Sequence, residues 1–263
     1  MGVIFREKKE SMDLNWSLLI SAIKAGKVIV DEKQRKSLIE KLNLLCRFNQ
    51  KIAVFGISGA GKSQFINSLG DTLEIPKRTI ITDKYRYDLD KFPIEFFDTP
   101  GHSARQQERK KVLTDIIKDK FIGIINVVSY GYEENPDAEL DIVFDSNKRV
   151  KDSFLSANRS AELERISEWL PSIETTKVKW VVNLVNKADI WWENQTEVNK
   201  YYSEGHFDKA IKSINNTISV FHIPYCSIIQ PYFETNTSGK FGEIDKIGLH
   251  KNFLHLLLNL LKT

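Results

Sequence analysis

The octet Gly56-Ile57-Ser58-Gly59-Ala60-Gly61-Lys62-Ser63 follows the apolar run Ile52-Ala53-Val54-Phe55 and precedes Phe65-Ile66-Asn67-Ser68-Leu69-Gly70. In a G-x-x-x-x-G-K-S octet the terminal glycines free the backbone to wrap a polyphosphate with its N–H groups turned inward. The strand before it and the helix after it give the pattern its chemistry, because the helix N-terminus brings a partial positive charge to the anion. The octet therefore predicts an α/β chain that binds a nucleoside triphosphate. Gly56, Ser58, Gly59, Ala60 and Gly61 form the cradle, Lys62 reaches the β- and γ-phosphates, and the Ser63 hydroxyl ligates Mg²⁺.

Two later segments say which nucleotide and how it is sensed. Asn186-Lys187-Ala188-Asp189 closes a strand-like run, 178–185, and so falls at a strand's carboxyl end, where open α/β sheets bind ligands. A carboxylate at Asp189 can accept from the N1–H and 2-amino groups of guanine, a donor pair that adenine lacks. The Lys187 stem can lie over the base, and Asn186 can tie this loop to the phosphate loop. The third segment, Ile94-Glu95-Phe96-Phe97-Asp98-Thr99-Pro100-Gly101-His102, is an apolar strand that delivers an aspartate into a tight loop. Asp98 is placed to hold Mg²⁺ through water, and the Gly101 N–H to reach a γ-phosphate, so this loop senses whether that phosphate is present.

G-x-x-x-x-G-K-S at 56–63, D-x-x-G at 98–101 and N-K-x-D at 186–189 resemble, in this order, the motifs of the Ras-like, translation-factor-related P-loop GTPases. The resemblance covers about residues 51–263. It implies a mostly parallel sheet with helices on both faces and one antiparallel edge strand, binding of GTP and GDP, two nucleotide-sensing switches and slow GTP hydrolysis. It also implies a first-switch threonine that ligates Mg²⁺ and contacts the γ-phosphate. Thr79 and Thr82 are both available; Thr79 is preferred, because it leaves room for a hairpin with arms at 80–88 and 92–97. His102 follows D-x-x-G, where the family places the residue that orients the attacking water, and Asp-Thr-Pro-Gly-His is similar to the sequence of translational GTPases. An imidazole suits that task near neutral pH. On this reading Lys62, Thr79 and His102 carry catalysis, and Ser63, Thr79 and Asp98 hold the metal. The family's fifth element, a short loop touching guanine O6, is where the chain departs from pattern. Cys226 and Ser227 can each hold its serine position, and Ser227 is preferred.

The remaining sequence sets the frame. At 263 residues, 41% hydrophobic and 28% charged, the chain can bury one large core. Its net charge of +3 demands no nucleic-acid partner, and no basic helix interleaved with aromatics points to one. Cys46 and Cys226 are too few for a disulfide framework, and no apolar run reaches membrane-spanning length, so a cytoplasmic protein is expected. Residues 1–50 are expected to form an N-terminal helical hairpin, with apolar faces along 12–25 and 31–46, ahead of a G domain at 51–263. An acidic, aromatic-bearing insertion is expected at about 130–152, serving as an effector surface or as a flexible segment. A helix at 161–170 ended by Pro171 and a closing helix at 247–261 complete the expectation. The leading function is a GTP-hydrolysing switch with a protein effector or activator. The alternatives are a module in which GTP drives formation of a homodimer, and a guanine-nucleotide scaffold without turnover.

Overall fold

The computed structural model describes residues 50–69, 83–89, 92–100, 107, 110, 114, 121–135, 138–173, 178–213, 218–233 and 240–262, all within the compact unit Asn49–Thr263. The expected N-terminal helices, Thr79, Thr82, Gly101 and His102 lie outside the described residues.

Six strands form one sheet: β1 Gln50–Phe55, β2 Asp83–Leu89, β3 Phe92–Asp98, β4 Phe121–Val128, β5 Trp180–Val185 and β6 Ser219–Pro224, in the order β2-β3-β1-β4-β5-β6. β1 pairs in parallel with β3 and β4, and β4–β5 and β5–β6 are also parallel. Only β2, at the edge, runs antiparallel, against β3. The expected sheet, with its single antiparallel edge strand, is the one observed. The first hairpin arm is described from Asp83, with Asp83 facing Asp98 across the ladder.

The central strands are apolar on both sides, as strands covered on two faces must be. Ile52, Val54, Ile125, Val127, Val182 and Leu184 point to one face, where they pack with Phe65 of helix α1 (Lys62–Leu69). Ala53, Phe55, Ile124, Val128, Val181 and Val185 point to the other, where Phe55 stacks on Trp169 with ring centroids 5.3 Å apart. Between β4 and β5 lie α2 (Leu140–Val143) and α3 (Asp152–Ile173); after β5 come α4 (Ala188–Trp191), a 3₁₀ turn, α5 (Gln195–Glu204) and α6 (His206–Lys212). The closing helix α7, Glu243–Lys262, brings Phe253 against Phe65 with centroids 5.2 Å apart.

Two helix boundaries differ from expectation. The helix expected at 161–170 runs from Asp152 to Ile173 and contains Pro171. A proline in the last turn removes only a hydrogen bond near the helix end, so it did not stop this helix at Leu170. The closing helix starts at Glu243 rather than Ile247. The Gly242 N–H donates to Asp245 Oδ2 at 2.9 Å, and acidic residues in a first turn suit the helix dipole. That opening turn is polar, so apolar periodicity alone misses it.

This topology fixes where a ligand binds. From β1 the chain fills positions toward β3 on one side and toward β4 on the other, so the strand order reverses between β1 and β4. The crevice beyond their carboxyl ends is the ligand position of such sheets, and it lies where the loop after β1 meets the loops after β4 and β5. Among the described residues no helix is long and apolar enough to cross a membrane.

Candidate active site

β1 ends into the phosphate loop, and α1 begins at Lys62. Gly61 has φ +90°, and a Cβ there would stand 2.4 Å from Asn186 Nδ2; both facts require glycine. Asn186 Nδ2 donates to Ala60 O at 3.0 Å. Asn186 Oδ1 accepts from the N–H and the hydroxyl of Ser227, each at 3.0 Å. One buried asparagine thus joins the phosphate loop, the loop after β5 and the loop after β6. The Trp191 indole N–H donates to Asn186 O at 2.7 Å and fixes the loop from behind. Trp191 therefore belongs both to the core and to the support of the loop, and Trp192 packs on Phe241.

The Lys62 ammonium is buried and donates to Ile57 O at 3.0 Å, so its charge lies inside the phosphate loop. The Ser63 hydroxyl donates to Asp98 Oδ2 at 2.5 Å. Asp98 is fully buried at the end of β3, and the Thr99 hydroxyl, donating to Val54 O at 2.8 Å, pins that end to β1. A hydroxyl and a carboxylate oxygen in contact are the hard donors that Mg²⁺ prefers. Mg²⁺ takes few ligands from protein and the rest from phosphate and water, so Ser63 and Asp98 fit it. Among the described residues no cluster of three or more His, Cys, Asp or Glu side chains offers another metal site.

At the other end of the crevice, Asp189 is 1% exposed. Its Oδ1 accepts from the Cys226 thiol and its Oδ2 from the Gln230 N–H, both at 3.4 Å. The Gln230 contact is longer than an ordinary N–H···O hydrogen bond and a thiol is a weak donor, so the carboxylate retains accepting capacity on both oxygens. Burial pushes its pKa up, opposed by those two donors. Cys226 and Ser227, the two candidates for the fifth motif, divide the work: Cys226 faces Asp189 while Ser227 faces Asn186. Lys187 has left-handed backbone, φ +60°. Burial lowers its pKa, and Glu134 is the leading opposing influence.

Sequence reasoning missed a whole wall of this site. After β4 the chain turns back over the phosphate loop. The Glu134 N–H donates to Gly59 O at 3.4 Å, and a Cβ on Gly59 would stand 2.3 Å from Glu134 O. The Glu134 carboxylate is 3.6 Å from the Lys187 ammonium and accepts from Gln230 Nε2 at 3.2 Å. Tyr232 places its ring 5.4 Å from that ammonium and donates its hydroxyl to Glu133 O at 3.3 Å. The cavity bounded by Glu134, Asn186, Lys187, Asp189 and Gln230 is about 10 Å³, too little for a purine with these side chains where they stand. The return loop is anchored by Glu162 of α3, which is 2% exposed. Glu162 Oε1 accepts from the N–H groups of Ser129 (2.7 Å) and Gly131 (3.4 Å), and its Oε2 from the Tyr202 hydroxyl (2.6 Å). Nothing in a string of tyrosines and glutamates after a strand signals such a return; it depends on α3 and α5 supplying the anchors.

A parallel sheet with a glycine-rich loop leading into α1, a lysine and serine at its helix start, and an asparagine-braced carboxylate after β5 define a P-loop GTPase domain. The chain belongs to the family of 50S ribosome-binding GTPases, whose model matches residues 51–187. A search of curated proteins gives no match. Similar solved structures include Toc33 from Arabidopsis thaliana in complex with Mg²⁺ and GMPPNP, with 13% identity, TM-score 0.47, and coverage of 89% of this chain and 94% of that one. A GTP-binding protein from Sulfolobus solfataricus in complex with GDP has 14% identity and TM-score 0.44, covering 96% of this chain and 68% of that one. The Arl6 BBS3 small GTPase from Trypanosoma brucei with bound GppNp has 14% identity and TM-score 0.43, covering 80% and 96%.

Proposed function

We propose that the protein binds GTP and GDP with Mg²⁺ and hydrolyses GTP slowly, as a nucleotide-dependent switch whose G domain spans residues 51–263 behind an N-terminal extension at 1–50. The observation that carries this reading is Asn186, whose hydrogen bonds to Ala60 and Ser227 bring phosphate-directed and base-directed groups onto one crevice. Lys62 and the amides of Gly56 to Ser63 take the phosphate charge; Asp189 takes the guanine edge, with Lys187 under the base and Ser227 beside it. Ser63 and Asp98, with Thr79 from the first switch, hold Mg²⁺, which neutralises charge developing on the phosphate oxygens. His102 orients the water that attacks the γ-phosphorus as the bond to the bridging oxygen breaks, and Gly101 reports the presence of the γ-phosphate. The sequence carries the assignments of Thr79, Gly101 and His102.

A second reading, pairing of two GTP-bound copies across their active sites, draws on Ile228, which is 40% exposed beside the base-reading loop. Light scattering with GTP against GDP separates the two. The experiment that tests the site as a whole is Mg²⁺-dependent affinity for GTP and GDP against ATP. A preference for guanine of at least about a hundredfold is expected, because adenine turns an N1 lone pair, and no 2-amino donor, toward the buried Asp189 carboxylate. Equal affinity for ATP would remove the guanine assignment.

A further inference from the structure

Beside the nucleotide loops the fold builds a second concavity of about 780 Å³, within the roughly 300–1,000 Å³ of small-molecule pockets. Four aromatic side chains line it: Tyr130 and Tyr132 come from the loop after β4, Phe144 from the insertion and Tyr232 from the segment after β6. Tyr132 and Phe144 each meet Tyr232 edge to face, with centroids 5.6 and 6.5 Å away. Three cations line the cavity as well. Lys148 and Arg149 stand at the tip of the insertion, and the Arg159 guanidinium lies 4.7 Å over the Tyr130 ring. Against them stand Asp152 and Glu197, and Glu197 Oε1 already accepts from the Tyr130 hydroxyl at 2.9 Å.

Backbone strain gathers on the same walls. Four non-glycine residues among those described have positive φ: Tyr130 (+56°), Lys148 (+59°), Lys187 (+60°) and Phe233 (+45°). Lys187 belongs to the base-reading loop. Tyr130 and Lys148 line the cavity, and Phe233 packs behind it on Tyr232 and Phe144. Left-handed backbone at residues with a Cβ persists only where surroundings enforce it, and such residues cluster at ligand sites. Here the enforcement is visible. The Tyr130 N–H donates to the buried Tyr202 hydroxyl at 2.9 Å. Lys148 sits in a tight hairpin closed by the Phe144–Val150 bridge, in which Asp145 Oδ1 accepts from the N–H groups of Asn147 and Arg149 at 2.8 and 2.9 Å. Glycine would fill that turn position without strain. A lysine there adds a cationic side chain to the lining instead.

We propose that this cavity, which adjoins the nucleotide crevice across Tyr232 and Ile190, is a second small-molecule site that takes a flat aromatic anion. Tyr132 and Phe144, the two partly exposed rings of the lining, supply aromatic edges and faces, with the buried Tyr130 and Tyr232 rings behind them. Three cations against two carboxylates leave the lining one positive charge in excess, which favours a negative ligand over a positive one. The volume exceeds what a bare phosphate or carboxylate fills.

The test is a fluorescence titration of 1-naphthyl phosphate into the full chain, in the presence of excess GDP. Saturable binding of one equivalent is expected, unaffected by GDP and at least about tenfold tighter than that of 1-naphthol, which lacks the charge. Lys148→Gly is expected to hold or raise the melting temperature, because glycine relaxes the positive φ. The same variant is expected to weaken the probe about tenfold, as loss of a charged contact does. Tyr132→Ala is expected to weaken it comparably. Absence of saturable binding, equal affinity for 1-naphthol, displacement by GDP, or unchanged affinity in either variant would overturn the proposal.

Discussion

The carboxylate of Glu134 faces the ammonium of Lys187 at 3.6 Å, across the position where the base-reading loop presents its lysine stem. Glu134 also holds Gly59 O through its own N–H and Gln230 through its side chain, so one residue touches three loops of the site. On the proposed reading, a base that reaches Asp189 displaces this carboxylate. The Glu134 side chain is 28% exposed, and an ion pair of that kind is worth about 1 kcal/mol at most. Glu134→Ala is therefore expected to speed nucleotide association up to about fivefold, read by stopped flow with a fluorescent GTP analogue. An association rate equal to or below that of the wild type would show that Glu134 does not stand in the way of the base.

Lys62→Ala tests the phosphate end. Lys62 is 6% exposed and its ammonium is hydrogen-bonded to Ile57 O within the loop, among the backbone groups proposed to hold the phosphates. Charge-assisted contacts to phosphate are the strong ones, and loss of two of them predicts GTP binding weaker by at least about a hundredfold. Affinity by calorimetry, with circular dichroism to confirm the fold, checks this. Wild-type affinity in a folded variant would separate this loop from nucleotide binding.

The central strands β1, β3, β4 and β5 were legible in the sequence because they are short apolar runs with the phosphate and base loops at their ends, while the charged edge strand β2 followed from the family resemblance. Asn186 was legible for the same reason: its role depends on the motif and on strand order, both local or topological. Glu134, Gln230 and Tyr232 were not. They reach Lys187 and Asp189 from segments far apart in the chain, and no local spacing encodes which side chains meet across a crevice. Glu162 lies in the helix expected at 161–170, but its anchoring role was hidden likewise, because its partners Ser129, Gly131 and Tyr202 come from other segments. The left-handed turn at Lys148 was hidden because lysine is a residue that sequence rules do not assign to such a turn.

Glu162 makes stability depend on pH with a defined sign. Burial, with the Glu133 carboxylate as the next influence, raises its pKa well above the ordinary 4.5. The native state therefore binds a proton that the unfolded chain has released, and stability falls as pH rises from about 4.5 through the raised value. Tyr202, itself pushed up by burial and by Glu162, stays neutral in this range. Glu162→Gln keeps an acceptor for the Ser129 N–H and removes the titration. Melting temperatures across this range are expected to fall in the wild type and to flatten in the variant. Parallel pH profiles for the two proteins would show that Glu162 is ionised throughout.

Asp189→Asn asks the base-reading loop a question with a sign. In the structure Asp189 meets two donors, the Cys226 thiol at Oδ1 and the Gln230 N–H at Oδ2, so its environment already presents N–H and S–H groups to both oxygens. Guanine brings the same pattern, two donors in a row. An asparagine amide offers one acceptor and one donor, which mismatches guanine by about 1–3 kcal/mol and matches xanthine, whose 2-position carries a carbonyl oxygen. The substitution is expected to reverse the preference from GTP to XTP while leaving the brace from Asn186 to Ala60 and Ser227 intact, since that brace does not pass through residue 189. Competition of the two nucleotides for the variant, with Lys62→Ala as the control for lost phosphate binding, decides the matter. A variant that still prefers GTP would show that Asp189 does not read the base, and the specificity would have to come from the loop around Cys226 and Ser227.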